Sequence, residues 1–325
     1  MSAMTDPLHS WKDDSTKAAI LDFVTAVTTN GGSGFRPRSE RIAVFDNDGT
    51  LWCEQPLQVQ VQFALSRAEE MAKADPSLRE RHPFKAFLER DMKTIHAMGK
   101  RGVLEFAFTV HAGMSVDAFT NMAQAWLASE RHPTLRRPFT ELVYKPQLEL
   151  MAFLRANGFR TFIVSGGGVD FIRAFAEHVY GVPPWQVIGS SVKTRFRITD
   201  GRCELVKLAE LGSFDDRDAK VENIGLHIGR RPILAFGNSD GDTAMMRYAL
   251  AGTGLRMALL LHHDDGEREF AYDRDFRLSP LDEALDRAGE FGFHVVSMKN
   301  AWANIFPAQH AGLDLSPIEE RLRAS

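Results

Sequence analysis

Short apolar runs punctuate the chain, and each stops abruptly at a small, polar or acidic residue. Three are well defined: Ile42–Phe45 runs into Asp46, Phe162–Val164 into Ser165, and Ile233–Phe236 into Gly237. Two are weaker, Val187–Ile188 and Met257–Leu261, the latter ending at His262. Continuous rather than alternating hydrophobicity predicts strands buried on both faces, as in a parallel sheet, with the helix-like stretches between them as crossovers. The predicted fold class is α/β, a doubly wound and mainly parallel sheet. In such sheets functional groups gather at the carboxyl ends of strands. That is where the polar clusters of this chain fall.

The gap between the first two runs is too long for ordinary crossover helices, since it holds about a hundred residues. Within it Val61, Leu65 and Ala68 lie at helical spacing, as do Phe119, Met122, Ala123 and Trp126. Residues 52–159 read as a mostly helical domain inserted after the first strand, with 1–51 and 160–325 forming the core. Further on, alternation from Val192 to Ile198 precedes Asp200-Gly201, which predicts a hairpin between Ser191 and Leu208.

Composition narrows the class without naming it. A length of 325 residues fits a core domain plus a second module, and 44% hydrophobic with 25% charged residues is ordinary for a soluble globular chain. The net charge of −4 gives no basic excess, so no nucleic-acid partner is expected. Only Cys53 and Cys203 occur, without CxxC spacing, which argues against a disulfide framework or a thiolate zinc site. The N-terminal stretch MSAMTDPLHSWKDDS lacks the apolar segment of a leader, and no run approaches the ~20 apolar residues of a membrane span. A cytoplasmic protein with no membrane partner is the expectation.

Four polar clusters sit at the predicted strand ends and helix entries. Asp46-Asn47-Asp48-Gly49-Thr50 follows the first run, with Gly49 allowing a sharp turn. Ser165 opens Gly166-Gly167-Gly168, followed by Phe171, Phe175 and Val179 at spacing four; a glycine-rich helix entry offers free N–H groups to an anion. A lysine, Lys220 or its rival Lys207, precedes the fourth of the five runs, and Gly237-Asn238-Ser239-Asp240-Gly241-Asp242 follows that run. In this order, from about Arg41 to Met298, the sequence resembles the haloacid dehalogenase-like superfamily. Within it, the resemblance is to the phosphoserine-phosphatase-like branch with a helical cap after the first strand.

That resemblance implies a magnesium-dependent phosphomonoester hydrolase acting on a small molecule. Asp46 is then the nucleophile, forming an acyl phosphate that splits hydrolysis into two easier steps, and Asp48 the general acid and base. Ser165, Gly166 and Gly167 hold the phosphoryl oxygens, with Thr50, Lys220 and Glu54 placed around the substrate. Asp46, the Asp48 carbonyl, Asn238 and Asp242 surround Mg2+, a cation that favours hard oxygen ligands. The chain departs from the commonest pattern by carrying Asn238 where many relatives have aspartate; Asp242 then serves as ligand or as an orienting residue, and Asp240 is a weaker substitute. Asp48 argues against a haloacid dehalogenase, which lacks that acid. A phosphotransferase sharing the intermediate, and a non-hydrolytic phospho-acceptor protein, are the alternatives.

The remaining polar features read as structural. In His262-His263-Asp264-Asp265 the adjacent histidines point to opposite faces of a strand and cannot serve one ion together. Met122 and Trp126 read as helix packing. Lys145 and Arg67 are further candidates for reaching substrate from the insert.

Overall fold

Strand β1 (Ile42–Phe45) is buried at every position. Ala43 and Phe45 enter one hydrophobic cluster, while Ile42 and Val44 enter another on the opposite face. The same division repeats in the central strands: Ile163 against Phe162 and Val164, Leu234 and Phe236 against Ala235, Leu259 and Leu261 against Ala258 and Leu260. Period-two alternation with both faces covered leaves no solvent-facing position, which is why these strands read as unbroken apolar runs.

In this computed structural model, residues 6–308 are described; the first five residues of the polar N-terminal stretch and residues 309–325, both assigned to the core from sequence, lie outside them. The further strands are β2 (Arg160–Gly168), β3 (Val187–Thr199), β4 (Arg202–Ser213), β5 (Leu234–Gly237), β6 (Met257–His262) and β7 (His294–Ser297). They form one seven-stranded sheet in the order β4-β3-β2-β1-β5-β6-β7. All neighbours pair parallel except β3 with β4. The chain leaves β1 for β2 on one side and later returns with β5 on the other. A crevice therefore opens beyond the ends of β1 and β5, the place where ligands bind in such sheets.

The predicted hairpin forms between β3 and β4, and it is longer than its alternation suggested. Its turn, Asp200-Gly201, has φ of 51° and 76°, the left-handed pair that a two-residue hairpin connection requires. Strand β7 was not foreseen. Its sequence, His294-Val-Val-Ser297, is short and sits at the sheet edge, with two of its four residues exposed.

Helices Val59–Ala74, Phe84–Leu88, Met92–Thr109 and Val116–Ser129 make up most of the insert. It packs in two ways. Val61, Ala64, Ala68, Phe87, Val103 and Phe106 build a cluster of their own, whereas Phe63, Phe119, Ala123 and Leu127 join the main core. Met122 and Trp126 pack against that core as expected. Lys145–Ala156 also belongs to the main core, through Leu150, Met151 and Leu154, and leads directly into β2.

One expectation fails at β2. The strand does not stop at Ser165 but continues through Gly168, with an irregular step in its pairing to β3 after Ser165, and Gly168 then caps the helix that follows. The predicted helix is split into Val169–Arg173 and Ala176–Tyr180. The break at Phe175 (φ −132°) places its ring face to face with Trp52, centroids 4.5 Å apart.

Leu259, fully buried in the middle of the sheet, reports on this core. Leu259→Ala should cost about 2–5 kcal/mol. Urea unfolding would show it as a lower midpoint at unchanged slope; a loss below about 1 kcal/mol would contradict the packing described.

Candidate active site

Asp46 leaves the end of β1 and is held there by its own amide, which donates to the Phe236 carbonyl of β5 at 2.9 Å. The next residues turn sharply: the Thr50 and Leu51 amides return to the Asn47 carbonyl at 3.1 and 2.8 Å. Gly49 has φ +74°, and a Cβ there would lie 2.1 Å from Asn238 Nδ2 and 2.4 Å from Glu54 Oε1. Both backbone conformation and space therefore require glycine. The turn brings Asp48 back beside the glycine segment, where a Cβ on Gly167 would lie 3.2 Å from Asp48 Oδ2. Trp52 Nε1 fixes the other oxygen of Asp48 at 2.8 Å.

Lys220, on helix Asp218–His227, is the lysine that reaches Asp46. Its ammonium donates to Asp46 Oδ1 at 2.6 Å, Asp242 Oδ1 at 2.6 Å and the Val164 carbonyl at 2.9 Å. Lys207 instead pairs with Asp170 and lies over the Phe119 ring. Burial works against the Lys220 charge, but Asp242, Asp46 and Asp215 outweigh it and raise its pKa. Asp242 feels the same lysine: burial opposes its charge, and Lys220 overrides burial to hold its pKa low. Asp46 is the partner left short of compensation. Burial, then Asp242, push it up to about 7 against the pull of Lys220. Burial also raises Asp48.

The two oxygens of Asp242 are both engaged. Oδ1 faces Lys220, and Oδ2 accepts from the Asn238 and Ser239 amides at 3.0 Å each and from the Ser239 hydroxyl at 3.1 Å. Of the two roles the sequence left open for it, these contacts favour the orienting one. Asp240 turns away: its carboxylate accepts from the Asp282, Glu283 and Ala284 amides, capping the short helix Glu283–Asp286. Asn238 faces the surroundings of Asp46. Its Oδ1 accepts from Thr50 at 3.0 Å, and its Nδ2 donates to Glu54 at 3.1 Å.

Over Asp46 opens a cavity of about 60 Å³. The core lines it with Asp46, Asp48, Ser165, Gly166, Gly167 and Ser239, and the inserted segment with Glu54, Gln58, Gln60, Val61, Lys100 and Leu104. Ser165 is buried, and its hydroxyl accepts from the Gly167 amide at 3.0 Å. Gln60 Oε1 takes the Gly168 amide at 2.6 Å. The helix that follows is only five residues long, so the anion-binding dipole expected there is small. Thr50 is fully buried between Asp46 and Asn238 and does not line the cavity; it braces rather than contacts a ligand. Arg67 and Lys145 are elsewhere, beside Glu70 and Glu149 respectively.

Sequence reasoning missed several participants. Lys100 follows a break at Gly99 (φ 65°) inside helix Met92–Thr109 and pairs with Asp216 at 2.8 Å on the rim. His263 was set aside, yet it is buried, with Nε2 2.7 Å from the Gly49 carbonyl and Nδ1 3.1 Å from Glu269. The one sequence signal was its position past a strand end; Glu269 and Tyr272, which complete its surroundings, carry no motif.

Residues 43–247 match the family described as haloacid dehalogenase-like hydrolase. The chain belongs to that family. No match was found among curated proteins. Among solved structures, a conserved functionally unknown protein from Anaerococcus prevotii is similar over 95% of this chain and 98% of its own, at 16% identity and a TM-score of 0.57. A protein of unknown function from Bordetella pertussis is 16% identical over 79% and 98%, with a TM-score of 0.53. Both likenesses concern the fold. A phosphoserine phosphohydrolase-like protein from Francisella tularensis aligns over 70% and 89% at 15% identity, but its TM-score of 0.40 adds nothing to the argument. Among the described residues, no helix is long and apolar enough to cross a membrane.

Glu54 gives this family member a testable pH signature. Burial, then the charges of Asp48 and Asp46, push its pKa up to about 8 from an ordinary 4.5. The folded state therefore keeps a proton that the unfolded chain has lost over this interval, and stability falls as pH rises through it. In the metal-free protein, Glu54→Gln should flatten the loss of urea midpoint between pH 5 and pH 8. Parallel curves for the two proteins would contradict the assignment.

Proposed function

We propose that this haloacid dehalogenase-like hydrolase is a magnesium-dependent phosphomonoester hydrolase working through an aspartyl-phosphate on Asp46. The observation that carries the reading is the pairing of Asp46 Oδ1 with buried Lys220 while Asp48 flanks the same cavity. An Asp46 oxygen attacks phosphorus as the bond to the leaving oxygen breaks, and Asp48 donates its proton to that oxygen. Asp48, now a carboxylate, then takes a proton from water as the water oxygen bonds to phosphorus. The acyl-phosphate P–O bond breaks, releasing phosphate and restoring Asp46. Lys220 offsets the charge that builds between Asp46 and the phosphoryl group. In this reading Ser165 and the Gly166 amide hold the phosphoryl oxygens, while the Gly167 and Gly168 amides, engaged by the Ser165 hydroxyl and by Gln60, fix the segment behind them.

The oxygen set fits magnesium. Lys220 occupies only Oδ1 of Asp46, and Oδ2 lies on the side of Thr50 and Asn238, 3.4 Å from the Thr50 hydroxyl. Asp46, the Asp48 carbonyl and Asn238 provide hard donors there. Bound at this position, the ion would neutralise phosphoryl charge and help to align it.

The insert serves as a cap in this reading. Val61, Val103, Leu104 and Ala107 face the leaving-group side of the cavity together with Gln58, Gln60 and Lys100. A small phosphomonoester with a polar group, phosphoserine-like in size, suits that mixed wall. Within the insert, residues 61–110 build a hydrophobic cluster of their own, although Val59 and Phe63 anchor the same segment to the main core, as do 116–129 and 145–156.

Turnover of p-nitrophenyl phosphate with and without magnesium tests the proposal. Asp46→Asn, nearly isosteric, should abolish it, and Asp48→Asn should slow it about 10²–10⁴-fold. Lys220→Met should lose activity while Lys207→Met keeps it. Magnesium-independent turnover, or full activity in folded Asp46→Asn, would overturn the mechanism. A screen of phosphorylated metabolites then identifies the substrate, and substitutions of Val61 or Leu104 should move KM and preference more than metal affinity.

A further inference from the structure

The β5 side of the site is poor in free negative charge. Position 238 carries a neutral amide, and Asp242 spends both oxygens on Lys220 and on the turn that follows β5. Asp46 shares its own charge with the same lysine. A divalent cation placed here would face mainly uncharged oxygens.

A different carboxylate stands next to this position. Glu54, 1% exposed, accepts hydrogen bonds from Asn238 Nδ2 at 3.1 Å, the Tyr272 hydroxyl at 3.0 Å and Gln58 Nε2 at 3.3 Å. All three donors are neutral. A buried carboxylate whose hydrogen-bond partners are all neutral is costly, Lys100 across the cavity easing it only in part, and a further cation nearby lowers that cost. Glu54 and Asn238 also converge over Gly49, where each would touch an added Cβ. The hydrogen bond to Glu54 fixes the amide of Asn238 so that its Oδ1 faces Thr50 and the free side of Asp46. An aspartate at 238 would lose that bond and set two carboxylates against each other.

We infer that Glu54 supplies the negative charge that Asn238 lacks, so that the magnesium position is served by a carboxylate from the segment after the first turn instead of one from the turn after β5. Glu54 thereby acts on the ion and through Asn238, which it orients. The inference rests on the metal-dependent reading above. It makes residues 54 and 238 an exchangeable pair: one carboxylate and one amide, in either arrangement.

Calorimetric titration of the metal-free full chain with magnesium chloride, without substrate, tests the exchange. The proteins are wild type, Glu54→Gln, Asn238→Asp and the double variant. Glu54→Gln should weaken binding by about 10–100-fold, the range for residues that orient or support ligands. Asn238→Asp should restore most of that loss in the Glu54→Gln background and do much less in the wild-type background. A wild type that takes up no magnesium would remove the metal-dependent reading itself. A wild type that binds, with Glu54→Gln within about tenfold of it, would overturn only the exchange. So would equal tightening by Asn238→Asp in both backgrounds, or a Glu54→Gln effect confined to KM. If Glu54→Gln fails to fold, the charge-conserving double variant decides alone: affinity within about tenfold of wild type supports the pair, and a greater loss overturns it.

Discussion

The site depends on one buried ammonium. Lys220 is 1% exposed, and burying an unpaired charge is prohibitive, so the fold must deliver acceptors to it from several directions. It does so from three neighbouring strands. Asp46 follows β1, the Val164 carbonyl lies in β2, and Asp242 lies beyond β5. These strands are neighbours only because the sheet reverses its winding at β1. Lys220 thus reads the topology directly. From Asp242 the same constraint passes to the Asn238 and Ser239 amides, and so to the side chain of Asn238. Breaking one partner of such a buried pair typically costs about 3–5 kcal/mol, so the cluster holds its own geometry.

Around this anchor the charges do not balance. Lys220 compensates Asp242 well and Asp46 only in part, while Asp48 and Glu54 have neutral hydrogen-bond donors as their nearest partners. The raised pKa values of Asp46, Asp48 and Glu54 express that surplus in a low-dielectric cavity. Such a site resists a phosphate dianion arriving alone. Added positive charge would relieve that surplus, which is the electrostatic support for the proposed metal dependence.

Much of this was legible in the sequence, and for a common reason. Strands buried on both faces cannot hide their apolar runs, so β1, β2, β5 and β6 and the polar residues ending them were visible from Ile42, Phe162, Ile233 and Met257 onwards. Asp46 and Asp48 needed only the short turn between them. Lys220 over Lys207 was a choice that only packing decides: both lysines are buried, and one of them spends its charge on Asp170. The glycine run misled because Gly166-Gly167-Gly168 suits a strand end with irregular pairing as well as a helix entry. Glu269, Tyr272 and Lys100 were out of reach, since each arrives from a distant segment and carries no local pattern.

The insert adds the remaining constraint. Among the polar contacts its side chains make with the core are Gln60 on the Gly168 amide, Lys100 on Asp216, and Glu54 on Asn238. Two of these contacts touch the elements that hold phosphoryl oxygens or the proposed ion. Any rearrangement of helix Val59–Ala74 against the sheet therefore alters the Gly168 amide and the cavity wall together. Under the proposed function, binding of a leaving group by the insert and grip on the phosphoryl group by the core would become one event, because Gln60 belongs to both surfaces. In this arrangement selectivity does not need residues separate from the catalytic ones. It needs only that the insert close on the substrate in the geometry that leaves Gly166 and Ser165 facing phosphorus.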